Sequence, residues 1–117
     1  YDWGENFVAG NLIAKPVVDE TNRQLAVVAR QFNDHLTSLM IENQLRDSDR
    51  SRRWSKEVIN HSRSGKNEEV LRGWLDKWMP LASQAIEAYC EILPEPSSAA
   101  EAALANIENF HKTLWLD

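Results

Sequence analysis

Apolar residues recur at intervals of three and four along the whole of this 117-residue chain, and no stretch alternates with period two. That spacing fits the 3.6-residue turn of an amphipathic helix and not the pleat of a strand, so the chain is expected to be all-α. Its length suits one small domain or part of a larger one, since burial on folding is modest at this size.

The helices can be placed from the same pattern. Asp2 followed by Glu5 resembles a capping box, and Phe7, Val8, Leu12 and Ile13 form one stripe that runs into Lys15 and Pro16. Pro16 supplies no amide, so it must kink that helix or restart it. The stripe resumes from Val17 through Leu25, Val28 and Phe32, and Asn33-Asp34 offers a break with a new N-cap. The next helix carries Leu36, Leu39, Met40 and Leu45 and continues toward Trp54, Val58 and Ile59. Residues 62–67 read as a loop, with Gly65 as a left-handed terminator and Asn67 as the following cap.

Glu68 and Glu69 then occupy a first turn, where the helix dipole favours acids. Val70, Leu71, Trp74, Leu75 and Trp78 make a broad apolar face, Pro80 is expected to bend the chain, and Leu81, Ala85, Ile86, Tyr89 and Leu93 extend the stripe. Pro94 through Ser98 reads as a stiff linker. Ser98 with Glu101 reads as a second capping box, opening a last helix with Leu104, Ile107, His111 and Leu114 on one side. The expected organisation is therefore a helical region at 1–93, a Pro/Ser linker at 94–98 and a terminal helix at 99–117.

Charge and composition exclude several functions. The net charge of −5 and pI near 5.2 have the wrong sign for docking on phosphate or an anionic bilayer, so neither nucleic acid nor membrane is an expected partner. No apolar run approaches the roughly 20 residues that cross a bilayer, and a cytoplasmic location is expected. Cys90 is the lone cysteine, sits on a stripe and reads as a small buried hydrophobe. Gly4, Gly10, Gly65 and Gly73 are scattered and form no phosphate loop. Five tryptophans weigh toward a chain that buries surface against a partner.

Metal chemistry has one candidate. Helical bundles hold two irons with Glu-x-x-His from each of two helices and a Glu from each of two others. Glu108-Asn109-Phe110-His111 supplies that motif once; Glu57 with His61 and Asp34 with His35 do not repeat its spacing. One copy cannot build the site, so no metal, cofactor-binding or catalytic residue is expected in this chain.

Two surface features allow two readings each. Arg46, Arg50 and Arg53 share a helical face, either as a dock for an acidic partner or as a solvated face in which Asp49 pairs with Arg53. Trp74 and Trp78, one turn apart beside Lys77, are either core residues or a helix face packed on another subunit.

Arg50-Ser51-Arg52-Arg53-Trp54-Ser55, followed by the run from Val70 to Ala82 centred on Trp74-Leu75-Asp76-Lys77-Trp78, resembles the C-terminal region of the β (small) subunits of phenol, toluene, propane and alkene monooxygenase hydroxylases. The Trp-x-x-Lys-Trp core is also similar to the methane monooxygenase β subunit. Asp2-Trp3-Gly4-Glu5, Asn11-Leu12, Lys15-Pro16 and Asn33-Asp34 before Leu36 keep the same order. The resemblance covers residues 1–93 and fades in the tail.

The resemblance implies a ferritin-like helical bundle that repeats the architecture of a catalytic α subunit without its iron ligands. By the same resemblance this chain is the C-terminal third of a scaffolding β subunit, with a preceding segment supplying the remaining helices. The expected partners are the hydroxylase α subunit, a γ subunit, a regulatory protein and an NADH-dependent flavin and iron–sulfur reductase. The di-iron centre belongs to the α subunit, which uses dioxygen to hydroxylate hydrocarbons or phenols. The interface candidates are Arg50, Arg53, Trp54, Trp74, Lys77 and Trp78. The competing expectation is a free-standing helical interaction module unrelated to oxygenases.

Overall fold

The computed structural model describes residues 2–116, which form helices joined by short turns. Helix α1 spans Trp3–Phe7, a π-helical segment spans Val8–Ala14, and α2 spans Lys15–Gln31. Helix α3 spans His35–Ser62, α4 spans Asn67–Cys90 and α5 spans Pro96–Thr113. The all-α expectation holds, and no strand occurs among the described residues.

Asp2 caps α1 by accepting from the amides of Gly4 and Glu5 at 2.8 and 3.3 Å. Only half of the expected capping box forms, because Glu5 turns away to α4. Pro16 neither breaks nor restarts the run. The backbone stays right-handed helical through Phe7, Ala14 and Lys15, and Lys15 donates to the carbonyl of Gly10, five residues back. Widening the helix to the π repeat places Pro16 at the start of α2, where a missing amide is tolerated.

Asn33 takes a positive φ of 63°, and Asp34 caps α3 by accepting from the Thr37 amide at 3.1 Å. The Thr37 hydrogen bonds hold the Asp34 carboxyl below its ordinary pKa. Gly65, also at φ 63°, closes the turn into α4, a conformation that favours glycine. Helix α4 then runs through Pro80 without interruption. Its cap is Lys66, one residue before the expected Asn67, and makes no side-chain hydrogen bond. The expected Ser98–Glu101 box is absent: α5 starts at Pro96, where the fixed φ of proline suits the first helical turn.

The rod from α1 to α2 is central. Helices α3 and α5 pack on α2, while α4 packs on the π segment and on α5. The core has two parts. Phe7, Val8, Leu12, Ile13, Ile59, Leu71, Leu75, Ala82, Phe110 and Leu114 fill one, with Trp74 and Trp78 against it. Ile86, Cys90, Leu93, Ala103 and Ile107 fill the other, between α4 and α5.

The α2–α3 seam corrects the sequence reading. The buried residues include Glu20, Thr21, Ala26 and Ala29 on α2 and Ser38, Ile41 and Ser55 on α3, mostly small or polar residues. Polar contacts tie the antiparallel pair: Arg30 Nε donates to Ser38 Oγ at 2.8 Å, and Ser48 Oγ donates to Asp19 Oδ1 at 2.8 Å. The large residues expected inside face outward instead, with Phe32 at 71% and Leu36 at 70% exposure, and Leu39 and Met40 beside them. Val17, Leu25 and Val28 are half-buried, and Leu81 is exposed.

Candidate functional site

Helix α1 gathers the tryptophans. The Trp3 ring stacks on Phe7, with centroids 5.8 Å apart, and Trp54 meets the same Phe7 edge-on at 5.7 Å. A Cβ at Gly4 would lie 3.2 Å from the Trp74 ring, so glycine is what lets α1 approach α4 this closely. Trp3, Gly4, Phe7, Val58, Val70 and Trp74 line an apolar cleft of about 170 Å³. Trp54 remains 56% exposed at its full side.

Glu5 joins the other two candidates on α4. Its Oε1 accepts from Lys77 Nζ at 2.5 Å and from Trp78 Nε1 at 3.1 Å. The Lys77 hydrogen bond is the main cause of a Glu5 carboxyl held below its ordinary value, with Trp78 assisting against partial desolvation. Lys77 is exposed, while Trp74 and Trp78 are half-buried against the first core. Their packing against the core matches the first of the two readings, and part of each ring stays accessible.

Arg50 and Arg53 lie on the exposed side of α3, and neither makes an ion pair among the described residues. Asp49 does not pair with Arg53 among them. Arg46 donates to Asn43 Oδ1 at 3.2 Å.

The arginine that matters to the fold is Arg52, which the sequence reading passed over. It points inward, and its Nη2 lies 2.6 Å from Glu20 Oε2 and 3.7 Å from Asp19 Oδ2. Glu20 is 1% exposed and also accepts from Arg23 Nε at 3.0 Å and Asn106 Nδ2 at 2.9 Å. Burial pushes the Glu20 carboxyl up, but the hydrogen bonds from Asn106 and Arg52 outweigh it and leave the pKa below the ordinary value. The Arg52 guanidinium carbon also stands 5.0 Å from the Phe110 ring centroid, within cation–π range. One carboxylate thus binds α2 to both α3 and α5. The sequence signal was Arg52 falling on the opposite side of α3 from Arg46, Arg50 and Arg53, and Glu20 falling on the face begun by Val17.

His111 is likewise committed. Its Nε2 lies 2.6 Å from the Leu12 carbonyl, which has no proton to give, so the ring donates. Desolvation holds the His111 pKa below its ordinary value. Glu108, its motif partner, is exposed. No group of three or more His, Cys, Asp or Glu placed to hold a metal occurs among the described residues. His111 Nε2 is engaged by the Leu12 carbonyl and the Glu20 carboxylate by Arg52, Arg23 and Asn106. Cys90 is buried, and desolvation raises its thiol pKa, which disfavours the reactive thiolate. No helix among the described residues is long and apolar enough to cross a membrane.

Comparison with known proteins bears on these surfaces. The family profile described as Methane/Phenol/Alkene Hydroxylase matches residues 1–64. The toluene-4-monooxygenase system hydroxylase component subunit beta of Ectopseudomonas mendocina is 43% identical over 95 residues, covering 80% of this chain and 29% of that protein. The chain thus spans under a third of the length of that relative. No solved structure matches. The match takes in α1, the π segment, α2 and all of α3, the elements that carry Trp3, Phe7, Trp54 and the Glu20–Arg52 tie, and by it the chain belongs to the methane, phenol and alkene hydroxylase family.

Proposed function

We propose that this chain is the scaffolding portion of a hydroxylase β subunit, one that carries no active site and positions a larger α subunit. The observation that carries the reading is the 43% identity to a hydroxylase component subunit beta over 80% of the chain. The fate of the one Glu-x-x-His motif supports it, because His111 braces the π segment and Glu108 faces solvent. In this reading residues 1–93 form the helical region of the β subunit, and the terminal helix follows a linker shortened to the few residues before Pro96, where α5 begins.

The α subunit holds the di-iron centre, and the assembled enzyme hydroxylates hydrocarbons or phenols with dioxygen and NADH. A γ subunit, a regulatory protein and an NADH-dependent reductase complete the system, which works in the cytoplasm. This chain's residues shape the docking face alone. Trp54, Trp74 and Trp78 offer large aromatic edges, and Arg50, Arg53 and Lys77 add charge, the mix of aromatic and arginine that dominates binding energy at interfaces. Exposure of Trp54 and the absence of ion pairs at Arg50 and Arg53 among the described residues support that role.

Co-expression of the parent protein with the larger hydroxylase chain tests the reading. The Arg53→Glu and Trp54→Ala variants are expected to reduce recovery of the complex by gel filtration while turnover per assembled iron stays near normal. Full assembly with both variants, or turnover lost from an intact complex, would remove the proposed role.

A further inference from the structure

Residues 1–78 balance twelve basic side chains against twelve acidic ones, whereas residues 79–117 set Lys112 against Glu87, Glu91, Glu95, Glu101, Glu108 and Asp117. The whole net charge of −5 therefore falls in the last third of the chain. That third builds a groove between α4 and α5 of about 360 Å³, floored by the half-buried Ala100 and Leu104 over the buried Ile86 and rimmed by Glu87, Glu91 and Glu101. None of the three rim carboxylates makes a hydrogen bond or ion pair among the described residues, and all three are exposed.

Two of these acids oppose the stability of their own helix. Glu87 lies in the last turn of α4 and Glu91 at its C-cap, the negative end of the dipole, and that last turn has no basic residue. They also stand four residues apart, a spacing at which like charges repel. The nearest counterweight is the amino end of α5 at Pro96 and Ser97, worth about half a charge against three carboxylates. The floor, by contrast, is apolar, with Ala100 and Leu104 half-exposed above the core. A bare cation would satisfy the rim and leave the floor wet; an apolar segment would cover the floor and desolvate the rim at a cost.

We propose that this α4–α5 groove docks a basic amphipathic helical segment of a partner protein, its apolar stripe on Ala100 and Leu104 and its lysines or arginines against Glu87, Glu91 and Glu101. The occupant is chosen by charge complementarity with an apolar floor, the arrangement of helix-in-groove recognition. The groove lies on the second half of α4, apart from Trp74 and Trp78 on the first half, so the inference does not depend on the function proposed above.

The test uses the full chain and a fluorescein-labelled peptide of about 14 residues with leucines on one helical face and lysines and arginines flanking them. Fluorescence anisotropy is expected to show saturable binding that weakens at least about tenfold in the E87Q/E91Q/E101Q variant and about tenfold on raising salt from low to physiological strength. A control peptide with serine in place of leucine is expected to bind at least about tenfold more weakly, because the floor contributes. The glutamine variant removes repulsion within α4, so its circular dichroism melt is expected at or above that of the parent. Unchanged affinity in that variant would overturn the proposal. So would equal binding of the serine peptide, which would leave charge attraction alone. Displacement of the peptide by stoichiometric calcium would make the groove a cation site, and a dimer abolished by the glutamine variant in sedimentation would make the occupant a second copy; either result overturns the proposal.

Discussion

His111 Nε2 stands 2.6 Å from the Leu12 carbonyl, the acceptor four residues before Pro16 that the proline cannot serve as an amide donor would. An imidazole from the last helix thus takes the place of a backbone group missing from the first. The contact fixes the proton on Nε2 and places the ring where burial favours the neutral form.

A pH dependence follows from that lowered pKa. The unfolded chain takes up the proton near the ordinary histidine value of 6.5, whereas the folded chain resists it until lower pH. Stability is therefore full above about pH 6.5 and falls as pH drops through the window below it. Urea denaturation at pH 8 and at pH 5.5 is expected to show the loss, and His111→Gln is expected to remove most of that pH increment. The same variant should lower stability at pH 8 by about 1–3 kcal/mol through a poorly satisfied Leu12 carbonyl. A pH profile identical in wild type and His111→Gln would refute the assignment.

Glu20 and Arg52 are expected to behave as a unit. Glu20→Leu leaves Arg52 and Asn106 facing a carboxylate that is gone, and a broken buried pair costs about 3–5 kcal/mol. Arg52→Met leaves the buried Glu20 with Arg23 and Asn106 alone, both on its other oxygen. The double variant replaces both charges with apolar groups and should be clearly less destabilised than the two single effects added together. A thermodynamic cycle from chemical denaturation measures the difference, and additive losses would show that the pair is not coupled.

Trp74→Ala and Trp78→Ala each delete a large aromatic packed against the first core, an expected loss of about 3–5 kcal/mol in folding or assembly. Trp78→Ala also takes one of the two donors from Glu5. In a co-expressed hydroxylase both variants should appear as reduced complex, with activity per assembled iron retained. Turnover that collapses while assembly and iron content stay whole would place these residues in catalysis.

Iron titration provides the fourth check. The parent β chain, purified apart from its partners and exposed to ferrous iron without oxygen, is expected to hold far less than two irons per chain. Its Glu20 carboxylate and His111 Nε2 are engaged by Arg52, Asn106 and Leu12. Two tightly held irons per chain would contradict the scaffold role directly.

The helices were legible where large apolar residues mark a buried face. Phe7, Val8, Leu12 and Ile13 form such a stripe, as do Ile107 and Leu114, and Asn33-Asp34 and Gly65 mark two of the turns. The α2–α3 seam was not legible, because two helices can approach closely through Ala26, Ala29, Ser38 and Ser55, and an apolar scale gives those residues little weight. Phe32, Leu36 and Met40 then took the inside in the sequence reading that Ala and Ser occupy in the structure. At the candidate site, Trp74, Lys77 and Trp78 could be found from their spacing. Their partner Glu5 could not, since it lies 72 and 73 positions from Lys77 and Trp78 and only the fold brings them together.

The π segment acts as a phase shifter in the long rod. Each π turn holds an extra residue, and one residue corresponds to about 100° of helical rotation. The faces of α1 and α2 are therefore out of step: α1 turns Phe7 and Glu5 to Trp54, Lys77 and Trp78, while α2 turns Glu20 to Arg52 and Asn106. Deleting Gly10, whose side is open, would let the run close to an ordinary α-helix and swing α1 through that angle. Such a chain would keep every residue of both clusters and lose the geometry that lets one rod serve two of them.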